Sequence, residues 1–224
     1  MYSEARVGKF KVLVLQDDAY IGPALLEGGE WDGWMRNDLK KLVRPGSEIL
    51  DVGGNIGWNA LMFSDYAPVH TFEPVFFTVV NENMKENSLN FDVSIHCYGL
   101  SDAPGIFPIY IPGRDANSRV NYGGCSLKPT EAHCGGVQQV ELRRLDDVYT
   151  GHVSFMKVDV EGHELEVLKG GEQTIRRCNP AIMIEIFTFE NSPVIEFLKT
   201  LGYTVFLERP EHNWLCLSET LPCE

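Results

Sequence analysis

Two groups of residues in the 224-residue chain have types and spacing suited to chemistry. The first is Asp51-Val52-Gly53-Gly54-Asn55-Ile56-Gly57, which follows an apolar run of strand length and precedes a helix-like segment. A glycine-rich nucleotide loop needs that context, because glycine lets the backbone turn sharply and approach a ligand with no Cβ in the way. The next apolar run closes at Glu73, 22 residues beyond Asp51, an offset at which an acid accepts hydrogen bonds from ribose hydroxyls. Together these imply a nucleotide-type ligand. A complete GxGxxG run and a GxxxxGKS/T phosphate loop are both absent, so a nicotinamide or flavin oxidoreductase stays open as an alternative, as does a non-catalytic module that keeps the fold. The second group is Asp159, Glu161, His163 and Glu185, at or just beyond the ends of two later apolar runs. In an open α/β sheet the carboxyl ends of the strands face one crevice, which puts these four beside the glycine loop. A carboxylate in an apolar strand end is costly to bury without a partner or a role. Loop amides or a helix cap are the competing explanation for Asp159 and Glu161.

The elements that must carry these residues alternate. Strand-like runs at 48–52, 69–73, 93–98, 155–160 and 181–186 are separated by helix-like stretches beginning at Trp58, Phe76, Glu164 and Pro193. The runs at 203–207 and 214–217, parted by Arg209-Pro210 and Asn213, predict a terminal antiparallel hairpin. The expectation is one α/β domain over 1–224: a seven-stranded, mostly parallel sheet with helices on both faces. Ahead of it, residues 1–33 form an accessory lead segment with a strand at 9–15, followed by a helix at 34–43. The stretch 104–142, carrying Pro112-Gly113, Gly123-Gly124 and Gly135-Gly136, is too long for an ordinary connection and predicts a less regular, substrate-facing insertion.

Composition narrows the partners. Nineteen basic residues against 32 acidic ones leave a formal net charge of −13, which repels a phosphate backbone, and the basic residues occur only as isolated pairs. Nucleic acid is therefore not expected as substrate. No apolar run approaches a membrane span and no secretory signal core occurs. The six cysteines show neither CxxC nor zinc-like spacing, and free thiols in the cytoplasm are the expectation.

Four blocks, Asp51 to Gly57, Phe72-Glu73-Pro74, Leu145-Asp146-Asp147 and Lys157-Val158-Asp159-Val160-Glu161-Gly162-His163-Glu164, together with the later Ile184-Glu185, resemble the FkbM family of methyltransferases in type and order. That resemblance implies a Rossmann-like class I methyltransferase fold, S-adenosylmethionine as methyl donor, and a sugar or other hydroxyl-bearing acceptor. It further implies that Gly53, Gly54, Asn55 and Gly57 surround the methionine and ribose of the cofactor, that Asp51 orders the loop, and that Glu73 with Pro74 flanks the ribose. Ser101 and Asp102 are placed toward the adenine, although ordinary turn chemistry explains them equally. Gly54 stands where the family more often has alanine. For methyl transfer to oxygen, Asp159 is the first choice of base, with Glu161, His163 and Glu185 as alternatives. Tyr110 and Tyr122 are candidates to stack on a sugar ring. Asp146-Asp147, and Asp159 with Glu161, offer carboxylate oxygens to a divalent cation, but displacement at a sulfonium needs no metal and none is expected.

Overall fold

The computed structural model describes residues 1–87 and 92–219. Two strands, β1 (Tyr2–Val7) and β2 (Phe10–Leu15), open the chain as an antiparallel hairpin, followed by α1 (Ile21–Leu26) and α2 (Arg36–Leu42). The α/β body then runs β3 (Glu48–Val52), α3 (Trp58–Phe63), β4 (Val69–Phe72), α4 (Phe77–Glu86), β5 (Val93–His96) and β6 (Gly99–Leu100). Next come β7 (Gly105–Ile111), β8 (Gly136–Arg143), α5 (Leu145–Val148), β9 (Val153–Val158), α6 (Glu164–Gly170) and α7 (Glu172–Cys178). The chain closes with β10 (Ala181–Glu185), α8 (Pro193–Thr200), β11 (Tyr203–Glu208) and β12 (Asn213–Ser218).

The central sheet has seven strands in the order β11-β12-β10-β9-β3-β4-β5. β10, β9, β3, β4 and β5 pair in parallel, and β12 joins β10 and β11 antiparallel. This is the expected sheet with its terminal hairpin. Alternate residues feed two cores: Ile49, Val69, Phe155 and Met183 point to one face, and Leu50, Phe72, Met156 and Ile182 to the other. Strands buried on both sides read as continuous apolar runs, which is why this part of the sequence was readable. From β3 the chain winds outward through β4 and β5, then returns to β9 on the opposite side of β3. The sheet's topological switch point therefore lies between β3 and β9, where a crevice opens beyond the carboxyl ends of the strands.

Two regions depart from expectation. The lead strand has a partner, β1, and Ala5, Val7, Phe10, Val12 and Val14 of the hairpin are buried in the first core. The exposed edge of β2 is covered by α4, where Asn83 and Asn87 exchange side-chain hydrogen bonds with the backbone of Leu13 and Lys11. An edge strand so satisfied offers little to an intruding strand. The stretch after residue 104 is more regular than its glycine pairs suggested. β7 and β8 form a seven-pair antiparallel ladder, and β6 adds a third strand beside β8. The helix expected over 34–43 begins as a 3₁₀ turn at Gly33–Met35 before α2.

Candidate active site

Gly53 has φ +91° and Gly57 φ +84°, a region that favours glycine. A Cβ on Gly53 would collide with the Asp159 carbonyl, and one on Gly54 with the Thr71 hydroxyl. The loop is thus glycine-rich because it is wedged between the ends of β4 and β9. Asp51, fully buried, accepts a hydrogen bond from Thr71 Oγ1 at 2.9 Å and leaves Oδ1 unpartnered. Burial pushes its carboxyl up to about 6.

Glu73 is the anchor of this loop. Its Oε2 accepts from the Asn55 backbone N–H at 2.9 Å, and its Oε1 accepts from Val75 and Phe76 N–H at 2.7 and 2.9 Å, at the start of α4. One side chain ties the glycine turn to the next helix. Burial raises its carboxyl to about 7 against the opposing pull of those three donors. Glu73 and Pro74 line a cleft together with Gly53 and Asn55 on one wall and Gly99 and Leu100 on another. Ile109, Tyr122 and Leu127 of the insertion roof it with apolar surface. Ser101 and Asp102, placed toward the adenine by the sequence reading, do not line this cleft. The Ser101 hydroxyl lies 2.9 Å from His163 Nε2 instead, and Gly99 and Leu100 take the wall position. An apolar slot with a buried carboxylate at one end suits a nucleoside, with the base between aliphatic walls and its ribose hydroxyls at the acid.

A second cleft shares the Gly53–Asn55 wall and opens on the other side of it, lined also by Lys157, Glu185, Tyr20, Trp31 and Asp32. Asp159 and Glu161 face both clefts, Glu185 only the second and His163 only the first. His163, whose half-buried ring is held by desolvation below its ordinary range, thus stands apart from Glu185. Asp159, Glu161 and Glu185 each bring an oxygen within 4.8 Å of the others. Burial, then the neighbouring charge of Asp159, raises Glu161 to about 7 and Glu185 to about 9.

Sequence reasoning passed over Lys157. It is 2% exposed and pairs with Asp159 at 2.7 Å and with Asp32 at 4.0 Å. Burial lowers its pKa, and the surrounding Asp159, Asp32 and Asp51 outweigh that and hold it charged. A lysine inside the apolar run Phe155-Met156-Lys157-Val158 was the available signal, since a buried ammonium requires counter-charges. Asp159 is correspondingly paired, not the lone carboxylate the strand end suggested. Asp146, considered for a cation, accepts from the Gln173 and Thr174 N–H groups and caps α7. Tyr122 lines the first cleft with its hydroxyl on Asp17, and Tyr110 lines neither. The lead segment, through Tyr20, Trp31 and Asp32, supplies more of the second cleft than the insertion, which gives it Asn121 and Gly123.

A parallel sheet reversing at β3 and β9, with the antiparallel β12 set between β10 and β11 and a glycine loop held by an acid at the end of β4, has the Rossmann-like class I methyltransferase fold. The same fold occurs in the crystal structure of a methyltransferase FkbM from Methylobacillus flagellatus, at 17% identity and TM-score 0.52, covering 76% of this chain and 42% of that one. It also occurs in the M. jannaschii tRNA m1G37 methyltransferase, at 9% identity and TM-score 0.52, over 96% of this chain and 55% of that one. The family model described as the methyltransferase FkbM domain matches residues 51–205, and the chain belongs to the FkbM methyltransferase family. It is 30% identical over 198 residues to methyltransferase sdnD of Sordaria araneosa, covering 73% of this chain and 76% of that protein. Over 143 residues it is 33% identical to the hexuronic acid methyltransferase AglP of Haloferax volcanii, covering 62% of this chain and about half, 55%, of AglP. Membership decides for methyl transfer over the oxidoreductase alternative. Among the described residues no helix is long and apolar enough to cross a membrane.

Proposed function

We propose that this chain is an S-adenosylmethionine-dependent O-methyltransferase whose acceptor is a hydroxyl of a sugar or glycan. The observation that carries the reading is the pair of clefts meeting at Gly53, Asn55, Asp159 and Glu161. One has the shape and anchor for a nucleoside. The other is polar and carboxylate-lined, and the wall between them is where a methyl group would cross. When bound, the cofactor supplies an electrophilic methyl group on a sulfonium. Gly53, Asn55 and Gly57 would hold the loop against it, and Glu73, whose Oε2 accepts only from the Asn55 N–H, would accept from the ribose. Asp159 lines both clefts and has Oδ2 fixed by Lys157, so Oδ1 is the oxygen aimed at an acceptor. Asp159 would take the hydroxyl proton of an acceptor methylated at this wall, and the bound donor would supply the methyl group and leave as the neutral thioether. Glu161 and Glu185 orient the acceptor's remaining hydroxyls. The AglP relative, named for a hexuronic acid, supports a carbohydrate acceptor.

The test is calorimetry with S-adenosylmethionine and its demethylated product, followed by a glycan acceptor screen and the Asp159→Asn variant. Both ligands are expected to bind, with no heat from nicotinamide dinucleotides. Asp159→Asn is expected to lower turnover by roughly 10²- to 10⁴-fold while leaving cofactor affinity nearly unchanged. Near wild-type turnover would pass the role of base to Glu161 or Glu185.

A further inference from the structure

Among the described residues the two most exposed phenylalanine, tyrosine or tryptophan side chains are Phe187, 64% exposed, and Tyr20, 57% exposed. Tyr20 lines the second cleft, and Phe187 stands two residues beyond Glu185, which lines it as well. The β10–β12 ladder carries Phe187 to the rim. Glu185 faces Asn213 across that ladder, both on the cleft wall, and one step further out the Ile186 N–H donates to the His212 carbonyl at 2.8 Å. Ile186 is buried in the second core, whereas Phe187, no more than about 3.6 Å of chain beyond it, is turned out to water. Its ring meets that of His212, with centroids 5.0 Å apart and planes inclined by 38°. The turn that carries His212 is held at a cost. Glu211 and His212 have φ +58° and +61°, at the two central positions of the turn in which the Asn213 N–H donates to the Pro210 carbonyl at 3.2 Å. Glycine and asparagine suit such positions, and glutamate and histidine do not. Residues kept in costly backbone conformations cluster at ligand sites. Here one of the two side chains lines the cleft and the other backs the exposed Phe187 ring.

An exposed aromatic face offers a broad apolar surface of negative π density. The C–H face of a pyranose complements it, and the hydroxyls around the sugar's edge donate to the exposed Glu211 carboxylate in the same turn. An apolar side chain of a protein partner would cover Phe187 but strip water from Glu211 without giving it a donor. From the Phe187–His212 ring pair at the rim of the second cleft, we infer that the acceptor is an oligosaccharide, and that the sugar next to the methylated one stacks on Phe187. The stacking role expected of Tyr110 and Tyr122 passes to this ring. The inference rests on the proposed function in taking this cleft for the acceptor and the acceptor for a carbohydrate. Its experiment does not require turnover. Methyl glycosides of glucose, galactose and mannose, and the disaccharides cellobiose, lactose and mannobiose, are titrated into the protein by calorimetry. At least one disaccharide is expected to bind roughly tenfold tighter than its matching monosaccharide. Phe187→Ala, at an exposed position, should erase that advantage and leave monosaccharide affinity unchanged, while Phe187→Trp should preserve it. Ile106→Ala, at an equally exposed residue of β7 outside both clefts, should change neither. His212→Gly should raise the melting temperature by relieving the turn and still reduce the advantage, so that the loss cannot be laid to a damaged fold. Disaccharides that bind no tighter than monosaccharides, or an advantage that survives Phe187→Ala, overturn the inference and leave the proposed function standing. Failure of all six sugars to bind overturns the carbohydrate reading and this inference together.

Discussion

Replacing Glu73 by glutamine keeps shape and removes one charged acceptor, and the structure fixes the cost. Three backbone N–H groups converge on the carboxylate, two on Oε1 and one on Oε2. A glutamine side chain has one oxygen to offer. Keeping it on Val75 and Phe76 turns an NH₂ group toward the Asn55 N–H, so that the bond holding the glycine loop, where Asn55 sits at φ +49°, is lost. A hydrogen bond to a charged group contributes about 1.5–3 kcal/mol, which translates into roughly ten- to hundredfold weaker S-adenosylmethionine binding. Calorimetry with a parallel thermal melt separates lost affinity from lost fold. Acidity supplies a second signature. Burial raises Glu73 from 4.5 to about 7. Since the folded state then holds this proton more tightly than the unfolded chain, this group's contribution to stability falls as pH rises from about 4.5 to 7. Ribose hydroxyls donate only to lone pairs and favour the ionised form, so cofactor affinity should rise with pH up to about 7 and level off above it. Glu73→Gln should abolish that dependence. A folded variant with wild-type affinity and an unchanged pH profile would refute the role assigned to Glu73.

Gly54→Ala, although it installs the residue more usual in the family, should lower stability by about 1–3 kcal/mol in denaturant unfolding, because the new methyl meets the Thr71 hydroxyl that serves Asp51. An unchanged midpoint would mean that Thr71 yields freely. Lys157→Met strands Asp159, Asp32 and Asp51 without their counter-charge and should cost about 3–5 kcal/mol at pH 7. The loss should shrink near pH 5, where Asp51, raised to about 6, takes up a proton, and a pH-independent loss would contradict the triad of charges. His163→Ala should weaken cofactor binding more than it alters the pH–rate profile, since His163 faces the first cleft and pairs with Ser101. A displaced pH–rate profile would restore it as a base.

The sheet was legible because β3, β9 and β10 are buried on both faces and leave short, predominantly apolar runs, interrupted only at Asp51 in β3 and at Ser154 and Lys157 in β9. β1 escaped notice because of the six residues Tyr2–Val7 only Ala5 and Val7 are buried, too little alternation to read. β7 and β8 escaped for a related reason. Pro108 and Gln139 pair on the outer face of this ladder, and on the inner face exposed Gln138 interrupts Ile109, Val140 and Leu142, which fill the small core with Val75, Cys125 and Leu127. Of the site, the residues on the central strands and their loops were readable from motif and offset. Trp31 and Asp32 were not, because they reach the cleft through the packing of a lead segment far away in sequence. No local pattern encodes such a contact.

The division of labour between the clefts follows from where the glycine loop sits. Gly53 N–H donates to the Phe72 carbonyl on one side of β3, and the Asp159 N–H donates to the Val52 carbonyl on the other. Glu73 and Asp159 are therefore the next residues on the two strands that flank β3. Their separation is set by strand spacing, about 4.8 Å per step across a sheet, and not by loop conformation. A side chain on Gly53 would force the Asp159 carbonyl away and change that separation directly. The wall between the clefts is consequently rigid. The roof over the first cleft comes from the insertion, and the outer rim of the second from the lead segment and the turn at Glu211. Chemistry held by strand ends can stay fixed while those peripheral segments change the acceptor. Acceptor preference in this chain should therefore follow substitutions at Asp32 and Glu211 more closely than any change within the loop from Asp51 to Gly57.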